Sequence, residues 1–239
     1  MKVLGIIPSR YNSSRFPGKP LIDLNGKSMI QRVYEGASKA SKIDKLIVAT
    51  DDQRIYDEVL GFNGNVNMTN SNHQTGTDRC AEIIEKNPGY DIVINIQGDE
   101  PLVNPVQLNT LIESFENNAH QEIATLAIRC LHQEEISNSN RIKVVCDYKN
   151  NALYFSRTPI PFSKKTDTKK YLRHIGLYAY QCETLLKIAK LSPCEIEKME
   201  SLEQLRWLFY GYSIKVIETD IETPNIDSPE DVKNVLKHL

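Results

Sequence analysis

The sequence predicts an α/β fold in which helices cover both faces of a mostly parallel central sheet. Two observations support this prediction. Short apolar runs rich in Val, Ile and Leu alternate with stretches whose apolar residues recur at helical spacing. The most polar and charged loops directly follow the predicted strands, as expected where ligands bind outside the carboxyl ends of parallel strands. After residue 140 the alternation gives way to β-rich segments, which predicts an inserted β-rich subregion.

The first half of the chain has the order of repeated βαβ units. Residues 3–8 form the first apolar run and are predicted to be the first strand. The other strands predicted from apolar runs are residues 45–49, 65–68, 91–97 and 123–128. Helical spacing is found between them, in residues 30–39, 52–60, 77–86 and 105–117. This order predicts parallel neighbours, because parallel strands need a crossover connection and that connection is usually a helix.

The second half begins with a predicted β-hairpin. Residues 142–147 and 152–157 have strand character, and the polar tip 148–151 between them is typical of a hairpin turn. Residues 163–170 are basic and polar and are predicted to form a mobile loop. This part of the chain is the predicted inserted subregion for substrate binding.

The remaining elements complete a single predicted domain. A strand is expected at 174–180 and a helix at 201–210. The last helix is expected to begin at Ser228, because a capping residue is followed there by Pro229 at the first helical position. With no repeat, low-complexity tract or evident linker, we expect one domain over residues 1–239.

Composition and charge exclude several classes of protein. The 239 residues have a formal net charge of −2 at pH 7, whereas a general binder of nucleic acid or anionic membranes would have a strong basic excess. No apolar run approaches the ~20 residues that cross a bilayer, and no signal-peptide pattern follows Lys2, so we expect a cytoplasmic protein. The five cysteines include no Cys-x-x-Cys pair, so neither a zinc site nor a disulfide framework is indicated.

The loop after the first predicted strand is the most informative segment. It reads Ser9-Arg10-Tyr11-Asn12-Ser13-Ser14-Arg15-Phe16-Pro17-Gly18-Lys19-Pro20. Its two arginines, one lysine and exposed backbone N–H groups suit a polyphosphate, so the expected ligand is a nucleoside triphosphate. The alternative is a solvated surface with a simple turn at Pro17-Gly18.

Two common phosphate-binding motifs are excluded. Gly26-Lys27-Ser28 is similar to the end of a Walker A motif, but Leu21 stands where its leading glycine would be. The chain contains no Gly-x-Gly, so the dinucleotide fingerprint is missing as well.

Two acidic residues follow the strand predicted at 91–97. Mg²⁺ prefers carboxylate, water and phosphate oxygens, which makes Asp99 the first candidate metal ligand. The alternative for Asp99 is a turn acid or a helix cap. From pattern alone, Asp227 before Ser228 and Pro229 indicates a helix start.

Motifs along nearly the whole chain resemble one enzyme family. In chain order they are Ile7-Pro8-Ser9-Arg10-Tyr11, Ser14-Arg15-Phe16-Pro17-Gly18-Lys19-Pro20-Leu21, Ala49-Thr50-Asp51-Asp52, His73-Gln74-Thr75-Gly76-Thr77-Asp78-Arg79, Asn95-Ile96-Gln97-Gly98-Asp99-Glu100-Pro101-Leu102, Tyr154-Phe155-Ser156-Arg157, Arg173-His174-Ile175-Gly176-Leu177-Tyr178, Leu202-Glu203-Gln204-Leu205-Arg206-Trp207-Leu208 and Ile226-Asp227-Ser228-Pro229-Glu230-Asp231-Val232. Together they are similar to those of the 3-deoxy-manno-octulosonate (Kdo) cytidylyltransferases, or CMP-Kdo synthetases.

The resemblance implies a fold, a reaction and an assembly. The fold would be the Rossmann-like nucleotidyltransferase fold with an inserted β-rich subregion for substrate binding and dimerisation. The enzyme would be a Mg²⁺-dependent homodimer that transfers CMP from CTP to Kdo for lipopolysaccharide biosynthesis. Its partners would be these two small molecules, with no nucleic acid and no membrane.

The resemblance also implies roles for particular residues. Those implied to be catalytic are Arg10, Lys19 and Asp99. Those implied to bind the nucleotide are Pro8, Arg10, Ser13, Arg15, Lys19, His73, Thr77, Arg79 and Gln97. Those implied to bind the sugar acid are Arg157, His174, Tyr178, Glu203 and Gln204. Those implied to bind the metal are Asp99 and Asp227.

Simpler roles remain open for some of these residues, and two other functions remain open for the chain. Tyr178 has the character of a strand-core aromatic, and Glu203 that of a solvated helix residue; a lone histidine in a loop, such as His73, is more often structural.

One alternative function is a cytidylyltransferase for another ulosonic acid, such as an 8-amino Kdo analogue or a sialic-acid-like sugar. The other is a non-catalytic CTP-binding regulator. By resemblance, His73 favours the ordinary Kdo type.

Overall fold

The chain folds into two compact units, and each is described by itself. The computed structural model describes residues 1–12, 16–116, 118, 120–164, 170–226 and 228–239. The first unit comprises Met1–Ile112 and Thr223–Leu239, and the second comprises Glu113–Glu222. The single domain expected over residues 1–239 stays a prediction.

Strands and helices alternate through the first half of the chain. In order they are β1 (Val3–Ser9), α1 (Met29–Ala37), β2 (Lys45–Thr50), α2 (Gln53–Gly61), β3 (Val66–Met68), α3 (Gly76–Lys86), β4 (Ile92–Asn95) and α4 (Pro105–Glu116). Each predicted element of this half is present, with ends that differ by no more than two residues from the expected ones.

The strands of the first unit form a parallel sheet in the order β3-β2-β1-β4. In β1, the side chains of Leu4, Ile6 and Ile7 are completely buried. Apolar residues at adjacent positions point to opposite faces, so both faces of this strand are covered, as in a parallel sheet with helices on its faces. The carboxyl ends of β1, β2 and β4 therefore lie at one edge of the sheet.

The second unit contains a mixed group of strands. Its elements are β5 (Ile123–Arg129), α5 (Gln133–Ser137), β6 (Lys143–Cys146), β7 (Ala152–Ser156), β8 (Leu172–Gln181), α6 (Cys182–Ile188), α7 (Glu195–Glu200), α8 (Gln204–Phe209) and β9 (Ile214–Glu218). Strand β5 pairs antiparallel with β8 and parallel with β9, while β6 pairs antiparallel with β7 and β8. The predicted α/β fold with a mostly parallel central sheet is confirmed by these elements.

The predicted hairpin is confirmed as β6 and β7, with Val144 opposite Phe155. Asp147 closes its turn: one carboxylate oxygen, Oδ1, accepts the backbone N–H groups of Lys149 and Asn151, each at 2.8 Å. Asn150 adopts a left-handed conformation with φ 60°, which asparagine tolerates better than most residues.

The prediction of a helix over residues 201–210 was wrong at its start. Ser201 has φ 51° and ends α7 in the left-handed region, so a regular helix cannot run through it. The helix that follows, α8, begins three residues later. The short helices α5, α6 and α7 and the strand β9 were not predicted, because most of them are too short to produce a clear periodicity.

The chain returns to the first unit at its end. The last α-helix, α9 (Pro229–Val235), begins with Ser228 as its cap, and the backbone N–H of Ser228 donates to Asp231 Oδ2 at 2.8 Å. The start predicted from Ser228 and Pro229 is confirmed. Most of the predicted mobile loop, residues 165–169 within 163–170, lies outside the described residues. In the part of the chain that the structure describes, no helix has the length and apolar character needed to cross a bilayer.

Candidate active site

The loops after β1 and β4 meet at the carboxyl edge of the first-unit sheet. A Cβ atom added to Gly98 would lie 2.8 Å from the backbone oxygen of Pro8, so a larger residue at 98 would push these loops apart. Helix α3 begins at the same edge, since a Cβ on Gly76 would lie 3.5 Å from Pro8 and 3.6 Å from the Asn95 amide nitrogen. The start of a helix is the positive end of its dipole and favours anions, so this edge is suited to a phosphate-containing ligand.

Lys19 and Asp99 are in direct contact at this edge. The Lys19 ammonium nitrogen, Nζ, lies 2.7 Å from Asp99 Oδ2 and 2.8 Å from the backbone oxygen of Ile226. The backbone N–H of Ile226 donates to the backbone oxygen of Asp99 at 3.0 Å. Three segments distant in sequence therefore meet at one ammonium group, which is itself largely buried.

These contacts fit both roles predicted for the pair. The Asp99 carboxylate and the Ile226 carbonyl are hard oxygen donors, and both already accept hydrogen bonds from one cation. Asp227 follows Ile226 in sequence and lies outside the described residues, so its predicted metal role stays a prediction. Among the described residues, no group of three or more His, Cys, Asp and Glu side chains gathers as a metal site.

Gly18 and Tyr11, on the loop before Lys19, are joined by a hydrogen bond. Gly18 has φ 74°, and its backbone N–H donates to the oxygen of Tyr11 at 2.9 Å. The guanidinium of Arg54 lies over the Tyr11 ring, 3.2 Å from its centroid, and also forms two hydrogen bonds with the Asp52 carboxylate. Arg10 lies on this loop and is exposed, so its guanidinium is accessible to a ligand that arrives from solvent. The predicted nucleotide-binding residues Ser13 and Arg15 lie outside the described residues.

His73 contacts a carboxylate on α3. Its Nε2 atom lies 2.5 Å from Glu82 Oε2, which also accepts the backbone N–H of Asn70 at 2.9 Å. Burial raises the pKa of Glu82, but hydrogen bonds from Lys86, Asn70 and His73 outweigh it and lower the pKa to about 2. Glu82 is therefore ionised at neutral pH and fixes the loop that contains His73 to α3.

Arg79 is buried in an internal ion pair. Its guanidinium lies 2.6 Å from the carboxylate of Asp51 and 2.6 Å from the hydroxyl of Thr69, and its side chain is only 4% exposed. It therefore links the loops that follow β2 and β3 to α3. Its predicted contact with the nucleotide stays a prediction, as does that of Thr77, which is 2% exposed in the first turn of α3.

Pro8 and Gln97 lie where the ligand-binding edge begins. Pro8 is the penultimate residue of β1, and Gln97 is the second residue after β4. Both are partly exposed. Their predicted contacts with the nucleotide stay predictions.

In the second unit, the Arg157 guanidinium donates to backbone oxygens. Its Nε atom lies 2.6 Å from the Glu200 oxygen, and its terminal nitrogens lie 3.1 Å from the Ser139 oxygen and 3.2 Å from the Ser201 oxygen. The backbone N–H of Arg157 donates to the Glu200 carboxylate at 2.9 Å. These contacts stabilise the start of the loop after β7, and a carboxylate ligand would have to share or replace some of them.

His174 and Tyr178 lie on β8 beside one hydroxyl group. The His174 Nε2 atom lies 2.9 Å from the Thr125 hydroxyl oxygen. The single proton of this hydroxyl is within reach of two backbone oxygens, those of Leu177 and Ile175, and can be donated to either. Burial, with a smaller contribution from Arg173, lowers the pKa of His174 to about 3. The imidazole is therefore neutral at physiological pH and is suited to hydrogen bonding rather than to charge pairing.

Tyr178 packs in a buried aromatic cluster. Its ring centroid lies 5.2 Å from that of His174 and 5.2 Å from that of Trp207. Burial and then the nearby charge of Glu203 raise the pKa of Tyr178 well above its ordinary value, so its hydroxyl stays protonated. Glu203 immediately precedes α8 and is partly exposed, while Gln204 is its first residue and is buried. Three of the predicted acceptor residues therefore lie together, namely His174, Tyr178 and Glu203.

Sequence reasoning missed two supporting residues in this unit. Lys143 is completely buried, and its ammonium donates to the backbone oxygens of Asn138, Arg141 and Arg157 at 3.0, 2.6 and 2.6 Å. Thr125 contacts His174 from the middle of β5. A lysine or a threonine within a predicted apolar strand was the available signal, but neither residue type reveals its partners.

Fold and site together indicate a nucleotide-binding α/β protein whose lysine and aspartate lie at the carboxyl ends of parallel strands. A cytidylyltransferase family model matches residues 4–217. The 3-deoxy-manno-octulosonate cytidylyltransferases of Fusobacterium nucleatum and Bacteroides thetaiotaomicron are 48% and 49% identical to the chain; both alignments cover 100% of it, with 97% and 98% of those proteins. The chain thus belongs to the 3-deoxy-manno-octulosonate cytidylyltransferase family, and the predicted family is confirmed.

A solved structure agrees with this assignment. The structure of a CMP:2-keto-3-deoxy-manno-octonic acid synthetase complexed with CTP superposes with a TM-score of 0.94 at 39% identity. The match covers 100% of this chain and 98% of that one, so both units take part in the similarity.

Proposed function

We propose that the chain transfers CMP from CTP to the anomeric hydroxyl of Kdo, giving CMP-Kdo and pyrophosphate. The observation that carries this proposal is the contact between Lys19 and Asp99 at the carboxyl edge of the parallel sheet, in a chain of this family. This contact brings together an ammonium that would bind the triphosphate and a carboxylate that would bind a metal. Cytidylyl transfer needs charge neutralisation and alignment more than a protein nucleophile, because both substrates are anionic.

The reaction balances without a covalent enzyme intermediate. The anomeric oxygen of Kdo attacks the α-phosphorus of CTP and loses its proton, a new P–O bond forms, and the bond to the β-phosphate oxygen breaks to release pyrophosphate. Lys19 and Arg10 are proposed to bind the triphosphate, whose negative charge would otherwise repel the incoming sugar acid. The positive end of the α3 dipole lies at the same edge.

Mg²⁺ is proposed as the cofactor, with Asp99 and Asp227 as its protein ligands. The donor chemistry at Asp99 fits, because a carboxylate and a backbone carbonyl converge there on one positive charge. When bound, the metal would neutralise phosphate charge and help to activate the attacking hydroxyl. Asp99 would keep its carboxylate turned toward the phosphates.

The acceptor is proposed to bind through residues of the second unit. Arg157 would bind the carboxylate of Kdo, for which a guanidinium has the right fork of donors. The neutral His174 and the protonated Tyr178 would exchange hydrogen bonds with the sugar hydroxyls, together with Glu203 and Gln204. The pKa shifts of His174 and Tyr178 support these neutral roles.

We further propose a cytoplasmic homodimer that supplies activated Kdo for lipopolysaccharide. Large apolar side chains are exposed on the second unit, including Phe162 and Met199 at 86% and 83%. An interface between two copies of the chain would cover such side chains. Light scattering should give twice the chain mass, and a monomer at all concentrations would contradict the dimer.

The function is tested by pyrophosphate release with CTP and Mg²⁺. The acceptors compared are Kdo, its 8-amino analogue, sialic acid and none, and UTP replaces CTP as a nucleotide control. We expect release with Kdo and CTP only. Release with another sugar acid would keep the chemistry and change the acceptor, whereas CTP binding without release with any acceptor would favour a non-catalytic regulator.

A further inference from the structure

We infer that Lys19 is an internal counter-cation for Asp99. When CTP binds, the Lys19 ammonium exchanges Asp99 for the triphosphate, and this exchange couples nucleotide binding to metal binding. This inference rests on the proposed function, because it assigns an order to the same site. It also adds the Ile226 carbonyl to the groups that stabilise a cation there.

One position at this edge is already occupied by a cation, the Lys19 ammonium. The Lys19 ammonium lies 2.7 Å from Asp99 Oδ2, which belongs to the proposed metal ligand, and 2.8 Å from the backbone oxygen of Ile226. Two cations cannot share that position, since like charges repel strongly where solvent is largely excluded. Lys19 therefore competes with a metal for Asp99 as long as it stays there.

The fold itself holds Ile226 beside Asp99. The Ile226 backbone N–H donates to the backbone oxygen of Asp99 at 3.0 Å. This hydrogen bond holds residue 226 beside Asp99 whether or not Lys19 stays in contact with them. The Lys19 side chain is 11% exposed and that of Asp99 is 27% exposed, so solvent screens the pair only in part. The Ile226 carbonyl would thus stay beside Asp99 after the ammonium leaves, and the Asp99 carboxylate would then need another cation.

CTP offers Lys19 a stronger partner than Asp99 does. A triphosphate carries several negative charges, whereas Asp99 carries one, and the four-carbon stem of lysine allows its ammonium to turn between neighbouring anions. Lys19 follows Gly18 at the end of the loop that is proposed to bind the triphosphate. When the Lys19 ammonium moves to the triphosphate, Asp99 loses its counter-cation at the moment when the metal is needed. By linkage, the metal and the nucleotide must then each raise the affinity for the other.

The first experiment measures Mn²⁺ binding without nucleotide, by electron paramagnetic resonance of the free ion. Lys19→Met removes the competing ammonium and is expected to bind Mn²⁺ at least tenfold more tightly than the wild type. The matched control is Lys27→Met, which removes an ammonium at 2.6 Å from Glu35, away from this site, and is expected to change nothing. Folded Lys19→Met with wild-type Mn²⁺ affinity would overturn the inference.

The second experiment is independent of whether Lys19→Met folds. Metal-free CTP binding is measured by calorimetry in the presence of a chelator, for the wild type, Asp99→Asn, Lys19→Gln and the Lys19→Gln/Asp99→Asn double variant. Asp99→Asn frees Lys19 and is expected to bind CTP severalfold more tightly than the wild type. In the Lys19→Gln background the same substitution should have a clearly smaller effect.

An equal gain in both backgrounds would mean that only the negative charge of Asp99 mattered, and this would contradict the exchange. No gain in Asp99→Asn would contradict it as well. The proposed function is separated from this inference by pyrophosphate release in the wild type with CTP and Kdo. Activity with no coupling rejects the counter-cation alone, whereas coupling without release with any acceptor rejects the proposed transfer alone.

Discussion

The two units place their candidate residues in contrasting surroundings. In the first unit, Lys19 and Asp99 are charged, and each has an opposite charge within 2.7 Å. In the second unit, His174 and Tyr178 are held neutral by burial within an aromatic cluster. Arg157 is the cationic candidate there. Its guanidinium donates to backbone oxygens and not to a carboxylate side chain.

The difference matches the two substrates. A triphosphate and its metal are recognised by charge, and ion pairs can exchange partners when such a ligand arrives. A polyhydroxylated sugar is recognised by hydrogen bonds from groups of fixed protonation state and position. The comparison predicts that substitution of Asp99 in the first unit affects turnover most, whereas substitutions of Arg157 and His174 in the second unit affect acceptor binding or the pH dependence of stability.

The largest effect is expected from Asp99→Asn. The variant keeps the size of the side chain but weakens its interaction with a metal, and we expect turnover to fall roughly 10²- to 10³-fold. The measurement is steady-state pyrophosphate release, with circular dichroism to confirm folding. Asp57→Asn, at an exposed position on α2, is the control and should keep wild-type turnover. Near-normal turnover in folded Asp99→Asn would remove Asp99 from the metal site.

The pH dependence of stability is expected to reveal the partly buried His174. Its pKa is about 3 in the folded chain and about 6.5 when unfolded, so between these values the unfolded state binds the extra proton. Its contribution to stability is thus present above about pH 6.5 and is lost as the pH falls, by about 2 kcal/mol between pH 7 and pH 5.

The substitution that tests this is His174→Gln. It should reduce the loss of unfolding free energy between pH 7 and pH 5, measured by urea denaturation. His238→Gln, at an exposed position near the end of the chain, should leave the loss unchanged. The same loss in wild type and His174→Gln would show that His174 titrates normally.

A change of about tenfold is expected from Arg157→Lys. Lysine keeps the charge but not the planar fork, so the KM for Kdo should rise about tenfold while the KM for CTP stays the same. Both constants are measured by pyrophosphate release. Arg129→Lys, in an exposed pair with Glu218, is the control. Equal increases in both KM values would indicate that Arg157 stabilises the unit and does not recognise the acceptor.

The smallest effect is expected from Glu82→Gln. Glu82 has a pKa of about 2, below its usual 4.5, so its stabilising contribution is present above about pH 4.5 and is lost as the pH falls toward 2. At pH 7 the variant should unfold about 1 kcal/mol more easily, since hydrogen bonds to a charged group are lost. The difference from wild type should shrink below pH 4.5. Glu85→Gln, exposed on the same helix, should match the wild type at every pH.

Much of the first unit could be predicted from the sequence because its signals are local. The buried runs of β1 and β4 and the helical spacing of α3 each lie within a few adjacent residues. The contact between Lys19 and Asp99 joins residues 80 positions apart, and no local pattern determines it. Resemblance placed both residues at the site, but it did not indicate that they bind each other.

The partners of buried charges were the least predictable part. Arg79 was expected at the nucleotide, and the structure pairs it with Asp51. Lys143 lies in a strand whose sequence shows only one polar residue among apolar ones, yet its ammonium binds three backbone oxygens. Such partners depend on how distant loops pack, and residue spacing contains no information about that.

The most direct test of the central claim is a ³¹P NMR time course with the wild-type protein, CTP, Mg²⁺ and Kdo. The account predicts that the triphosphate signals decrease while one phosphodiester signal and pyrophosphate appear in equal amounts. Pyrophosphate with free CMP in place of the phosphodiester would indicate hydrolysis, once the stability of added CMP-Kdo has been checked under the same conditions. That result, or unchanged CTP with Kdo present, would contradict cytidylyl transfer to Kdo.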